Sequence, residues 1–115
     1  MVAAHIELGR AGEDRAADWY QARGYRVIDR NWRAPIGEID LVVRKGRVVV
    51  IAEVKTRRTD RFGVPALAVD AAKQQRLRRL ASAWLAVHRL GCRVDVRFDV
   101  VSVTGERVEV YANAF

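Results

Sequence analysis

Two stretches in the middle of the chain carry unbroken apolar runs that give way to charge at one end. Gly37-Glu38-Ile39-Asp40-Leu41-Val42-Val43 and Val48-Val49-Val50-Ile51-Ala52-Glu53-Val54-Lys55 are rich in β-branched residues, and Lys45-Gly46-Arg47 lies in the turn between them. β-Branched side chains pack well on a pleated surface, so the pattern predicts the two strands of a hairpin. Gly46 at the first loop position suits a two-residue type II′ turn, which pairs Lys45 with Val48. That register puts Asp40 opposite Glu53 and Glu38 opposite Lys55. A strand with one wet face alternates apolar and polar residues; these two turn polar only toward their ends, as central strands covered on both faces do.

Helical periodicity appears on either side. From Leu8 to Arg23, Asp14, Arg15, Asp18 and Gln21 form a polar side, while Glu13 shares an inward stripe with Ala16, Ala17 and Tyr20; Gly24 ends the run. Tyr25 to Arg33 reads as the first strand, broken by Ala34-Pro35-Ile36-Gly37. Thr59 to Pro65 has no period and reads as a loop. A second helix is predicted from Ala66 to Leu90, ended by Gly91, with Leu77, Leu80, Ala81, Trp84, Leu85 and His88 on its apolar face. His88 there reads as a satisfied core residue. Lys73 and Gln74 flank the stripe near the helix start and face inward. Val94 to Val103 and Val108 to Val110 read as closing strands joined through Thr104-Gly105-Glu106-Arg107, with Asp99 a salt-bridged structural acid. The order helix, three strands, helix, two strands predicts an α/β domain with a mixed central β-sheet flanked by α-helices.

The chain of 115 residues is long enough for one core, so residues 1–115 are read as a single domain. A lone Cys92 excludes an internal disulfide, and His5 and His88 alone make no zinc-like cluster, which fits a reducing, cytoplasmic setting. No stretch approaches the roughly 18 apolar residues of a membrane span and the first residues lack a signal-peptide pattern, so no membrane is expected. The net charge of +7 and pI near 10.5 point to a polyanionic partner, nucleic acid before membrane.

The hairpin carries the candidate chemistry. Directly opposed residues on one face have Cβ atoms roughly 4.5–5.5 Å apart, where two carboxylates repel unless a cation neutralises them. Asp40 and Glu53 in that relation make half of a divalent-metal site, and Lys55 shares the face of Glu53. Hard cations such as Mg²⁺ take carboxylates plus phosphate oxygens, and an adjacent ammonium stabilises charge developing on a phosphoryl group. The constellation suits metal-assisted phosphodiester hydrolysis; the solvent-facing side of an ordinary hairpin would show the same charges. Arg30, Arg33, Arg57 and Arg58 gather at strand ends, where they either meet phosphates or form a solvated rim.

Gly37-Glu38-Ile39-Asp40-Leu41-Val42 followed by Glu53-Val54-Lys55-Thr56-Arg57 resembles the YraN family of small bacterial proteins, grouped with the restriction-endonuclease-like nucleases that bear the PD-(D/E)XK motif. Gly12-Glu13 with Ala16 and Ala17, Arg30-Asn31-Trp32-Arg33, Lys73-Gln74 with Leu77, and Arg97-Phe98-Asp99-Val100-Val101 extend the resemblance over nearly the whole chain. Ile39 stands where many members of the superfamily carry Pro. The resemblance implies the restriction-endonuclease-like fold and a Mg²⁺-dependent nuclease, with Mn²⁺ as a substitute. It implies Asp40, Glu53 and Glu13 as metal ligands, the Val54 carbonyl as a further one, and Lys55 orienting the attacking water. Arg33, Arg57, Arg58, Lys73 and Gln74 are then the nucleic-acid contacts, with Lys73 or Gln74 holding the scissile phosphate. With no room for a separate reading domain, the expected substrate is branched or single-strand-containing DNA rather than a defined sequence. Similarity to junction-resolving nucleases implies a homodimer. Two alternatives use the same charge: a non-catalytic docking module on a nuclease fold, and an RNA-acting protein.

Overall fold

Covering the two central strands on both faces takes a layer on each side, and the chain supplies one helix for each. The computed structural model describes residues 2–57 and 69–115, with the side chains of the first helix described from residue 9 onward. Helix α1 (Val2–Gln21) leads into β1 (Arg26–Ala34), β2 (Gly37–Lys45) and β3 (Val48–Arg57); α2 (Ala71–Val87) then precedes β4 (Asp95–Thr104) and β5 (Arg107–Tyr111). The strands form one sheet in the order β1-β2-β3-β4-β5. All neighbours are antiparallel except β3 and β4, which run parallel with α2 in the crossover between them. The protein is therefore an α/β fold with a mixed five-stranded sheet flanked by two helices, consistent with the restriction-endonuclease-like architecture that the resemblance implies.

The two-residue period of the strands divides most of the core into two layers. Leu41, Val43, Val50, Ala52, Val101 and Val103 pack with Ala16, Ala17 and Tyr20 of α1. Val42, Val49, Ile51 and Phe98 pack on the other face with Leu77, Leu80, Ala81 and Trp84 of α2. The β2–β3 hairpin has the expected register, Lys45 against Val48, and Gly46 has φ +59° at the first turn position. That backbone is one that side-chain-bearing residues seldom adopt, so the glycine sets the turn and the turn sets the pairing.

Helix ends differ from the sequence expectation. Helix α1 begins at Val2 rather than near Leu8. Helix α2 begins at Ala71 rather than Ala66, because Asp70 caps it: its carboxylate accepts the Lys73 N–H at 2.8 Å. At the far end the turn closes before Gly91, with Arg89 taking the left-handed conformation at φ +55°. His88 is accordingly not a core residue. It is exposed past the helix end, stacked on Trp84 at 3.9 Å, with Nδ1 2.8 Å from the Trp84 carbonyl. Asp99 is the structural acid expected, fully buried and accepting from Tyr20 Oη at 2.6 Å, from Arg97 Nε and Nη2 at 2.9 Å, and from the Asn113 N–H at 3.0 Å. No helix among the described residues is long and apolar enough to cross a membrane. The predicted loop Thr59–Pro65 lies outside the described residues.

Candidate functional site

A fork between β2 and β3 creates the site. Their ladder runs from Lys45–Val48 to Leu41–Ala52 and no further. Beyond it β2 stays with β1 as far as the Ala34–Gly37 pair, while β3 stays with β4 as far as Arg57–Thr104. Splaying leaves the Val54 N–H without a strand partner on the β2 side, and Asp40 Oδ2 accepts it at 2.8 Å. The alternation of β2 also breaks here. Ile39 joins the α2 layer with Val42, although a regular strand would place it with Leu41 and Val43. Across from Asp40, between the pairs Arg30–Leu41 and Trp32–Ile39, Asn31 holds a left-handed backbone at φ +53°. Asn tolerates that conformation better than most side-chain-bearing residues, which makes it the residue type for such a distortion.

Acidic side chains from three elements converge at the fork. One carboxylate oxygen each from Glu13 on α1 and from Glu38 and Asp40 on β2 lie within 4.8 Å of one another. Burial, the Glu53 side chain bonded to it and the Glu53 charge push the Asp40 carboxyl up to about 8, with the Val54 N–H pulling the other way. Burial also raises Glu13, opposed by a hydrogen bond from Asn31 and by the Arg30 charge. Glu53 is only 8% exposed, and its Oε2 lies 2.8 Å from Lys73 Nζ on α2.

The two lysines respond in opposite directions. Burial, then the Lys73 charge, lowers Lys55 below the ordinary lysine range, with Glu53 and Asp40 partly restoring it. Burial works against the charge on Lys73 as well, but its bond to Glu53 and its contact with the Lys55 amine leave it raised. A cleft of about 250 Å³ opens beside these groups, lined by Gly37, Glu38, Asp40, Glu53, Lys73, Arg76, Leu77 and Leu80.

The structure thus brings Glu13, Asp40, Glu53, Lys55 and Lys73 together. Glu38 does not face Lys55 as the extended register would have it; it pairs with Arg33 across β1 at 3.2 Å and joins the acidic group. Gln74 lies outside the cleft lining, its amide donated to the Val69 carbonyl at 3.0 Å. Arg33 stands at the exposed rim, its side chain 79% exposed. Arg57 ends β3 past the Lys55 position, and Arg58 lies outside the described residues. Sequence reasoning missed Asn31 and Arg76. The first had a signal in its preference for the left-handed region, and the second in its position one turn after Lys73.

Comparison with known proteins places this arrangement in a family. The model of the uncharacterised protein family UPF0102 matches residues 12–103, a span that contains every residue of the cleft. The chain belongs to the UPF0102 family. This is the YraN family of the sequence resemblance. A UPF0102 protein of Thermodesulfovibrio yellowstonii is 42% identical over 112 residues, covering 97% of this chain and 98% of that protein. One from Symbiobacterium thermophilum is 56% identical over 97 residues, 84% of this chain and 80% of its own. A third, from Paenarthrobacter aurescens, is 53% identical over 96 residues, covering 84% and 78%. UPF0102 membership establishes kinship and assigns no reaction.

Proposed function

We propose that this UPF0102 protein is a Mg²⁺-dependent nuclease that hydrolyses phosphodiester bonds in DNA, selecting branched or single-strand-containing structures over sequence. The observation that supports it most is the fork, where Asp40, Glu53 and Lys55 meet with Glu13 brought in from α1. The donor set suits a hard divalent cation: it is all oxygen, without Cys or His, and burial together with the Glu53 hydrogen bond and charge pushes Asp40 up to about 8. Asp40, Glu53 and Glu13 would hold the ion, and Mn²⁺ would substitute for it. A divalent cation, when bound, polarises the phosphoryl group under attack.

The chain's own residues do the rest. Lys55, with its proton held less tightly than in an ordinary lysine, orients the attacking water and stabilises charge on the phosphoryl oxygens. Arg76 lines the cleft and Arg33 its outer rim, where they attract the phosphate backbone without reading bases.

The test is cleavage of linear duplex, flap, four-way junction, single-stranded DNA and RNA with Mg²⁺, Mn²⁺ or chelator, comparing wild type with Glu53→Ala. Metal-dependent cutting is expected, and Glu53→Ala should slow it by about 10²–10³-fold or more, the scale set by losing a charge-stabilising group. Binding by both proteins with cutting by neither would replace the nuclease with the docking module.

A further inference from the structure

The acid expected to hold the cation is already taken. Glu53 is nearly buried, and a buried carboxylate without a partner is strongly disfavoured. The groups that surround it are Asp40 on β2, Lys55 on its own strand and Lys73 from α2, and it is Lys73 Nζ that lies 2.8 Å from Glu53 Oε2. Lys73 is held in place independently. It occupies the first turn of α2, and its N–H is bound at 2.8 Å by the capping carboxylate of Asp70. The cap thus anchors the backbone from which the ammonium spans to the sheet.

An ammonium ion and a divalent cation compete for one carboxylate. Both are drawn by the same negative charge, and placed side by side they repel each other. Lysine suits the role because its flexible stem carries a single point charge that can leave without dismantling a bidentate pair.

We infer that Lys73 is the internal counter-ion of Glu53: its ammonium holds the carboxylate in the metal-free protein, and a divalent cation must displace it to bind Glu53. The inference rests on the metal-dependent reading of the cleft. It makes Lys73 a positioning residue that tunes metal affinity, in addition to any contact with substrate.

The test is calorimetric titration with Mn²⁺, together with thermal melting in chelator and in saturating Mn²⁺, for wild type, Lys73→Met, Lys73→Arg and Glu53→Gln, with Lys73→Met also made in the Glu53→Gln background. Lys73→Met is expected to bind Mn²⁺ about tenfold more tightly than wild type, the scale of one charge-assisted bond. It should melt below wild type in chelator and recover in Mn²⁺. Lys73→Arg keeps the charge at the site and should bind Mn²⁺ more weakly than wild type, so the test survives if Lys73→Met folds poorly. In the Glu53→Gln background the Lys73→Met effect should vanish. Equal Mn²⁺ affinity in wild type, Lys73→Met and Lys73→Arg, with a melting deficit that Mn²⁺ leaves unchanged, would overturn the inference and leave the nuclease reading standing. Absence of any Mn²⁺ heat or melting shift in every variant would overturn both.

Discussion

Asp40 sits where a strand ladder ends and the carboxyl groups of Glu13, Glu38 and Glu53 come close. Its carboxyl titrates near 8 in the fold against an ordinary 3.8, so between those values the folded protein keeps a proton that the unfolded chain has released. The contribution of this group to stability is fully present below about pH 4 and is lost as pH rises through about 8. Asn at this position mimics the protonated acid: it still accepts the Val54 N–H and presents donors toward Glu53. In chelator at pH 8, Asp40→Asn should therefore raise the melting temperature by roughly 4–8 °C, the shift that about 1 kcal/mol gives a domain of this size. At pH 4 the two proteins should melt together, and Asp40→Asn should not cut DNA. A melting temperature at pH 8 no higher than wild type would refute the account of Asp40.

At the scale of elements, the depth at which α1 sits on the sheet decides whether Glu13 reaches the fork. Gly12 lies tight against β3: a Cβ there would overlap the Thr56 side chain, whose Cβ would lie only 2.9 Å from it. A larger residue must push α1 off β3 and carry the neighbouring Glu13 with it. Gly12→Ala should cost about 1–3 kcal/mol, as overpacking does, and should slow cleavage as well. Urea unfolding checks the first and the substrate panel the second. Combining Gly12→Ala with Thr56→Ala should destabilise by less than the two single changes added together, since they meet at one contact. Strict additivity would mean that Thr56 is not what holds α1 at its distance.

For the molecule as a whole, the net charge of +7 coexists with a half-buried acidic group, so the overall charge and the acids of the site oppose each other in sign. Such an arrangement draws a polyanion to the rim while reserving the interior for a cation. Binding of a four-way junction in Ca²⁺ should weaken steeply as salt rises, with a log–log slope near −0.9 for each phosphate met on duplex arms, and Arg33→Ala should make that slope shallower by about one contact. A flat salt response would remove the nucleic-acid reading of the surface. The sequence by itself determined the strand register next to the turn, the two core layers and Asp40 and Glu53 as candidate acids, with Glu13 added by the family resemblance, because these follow from local rules: Gly46 sets a tight turn, side chains alternate along strands, and Leu77, Leu80, Ala81 and Trp84 recur at helical spacing. Only the tertiary structure decided that the β2–β3 ladder stops at Leu41, that Asn31 distorts the strand opposite Asp40, that Glu38 turns toward Glu13, and that Lys73 holds Glu53. Those features arise where strand pairing ends and no local rule constrains direction. There the positions of side chains are set by how far two helices, remote from each other in the chain, press onto opposite faces of one sheet.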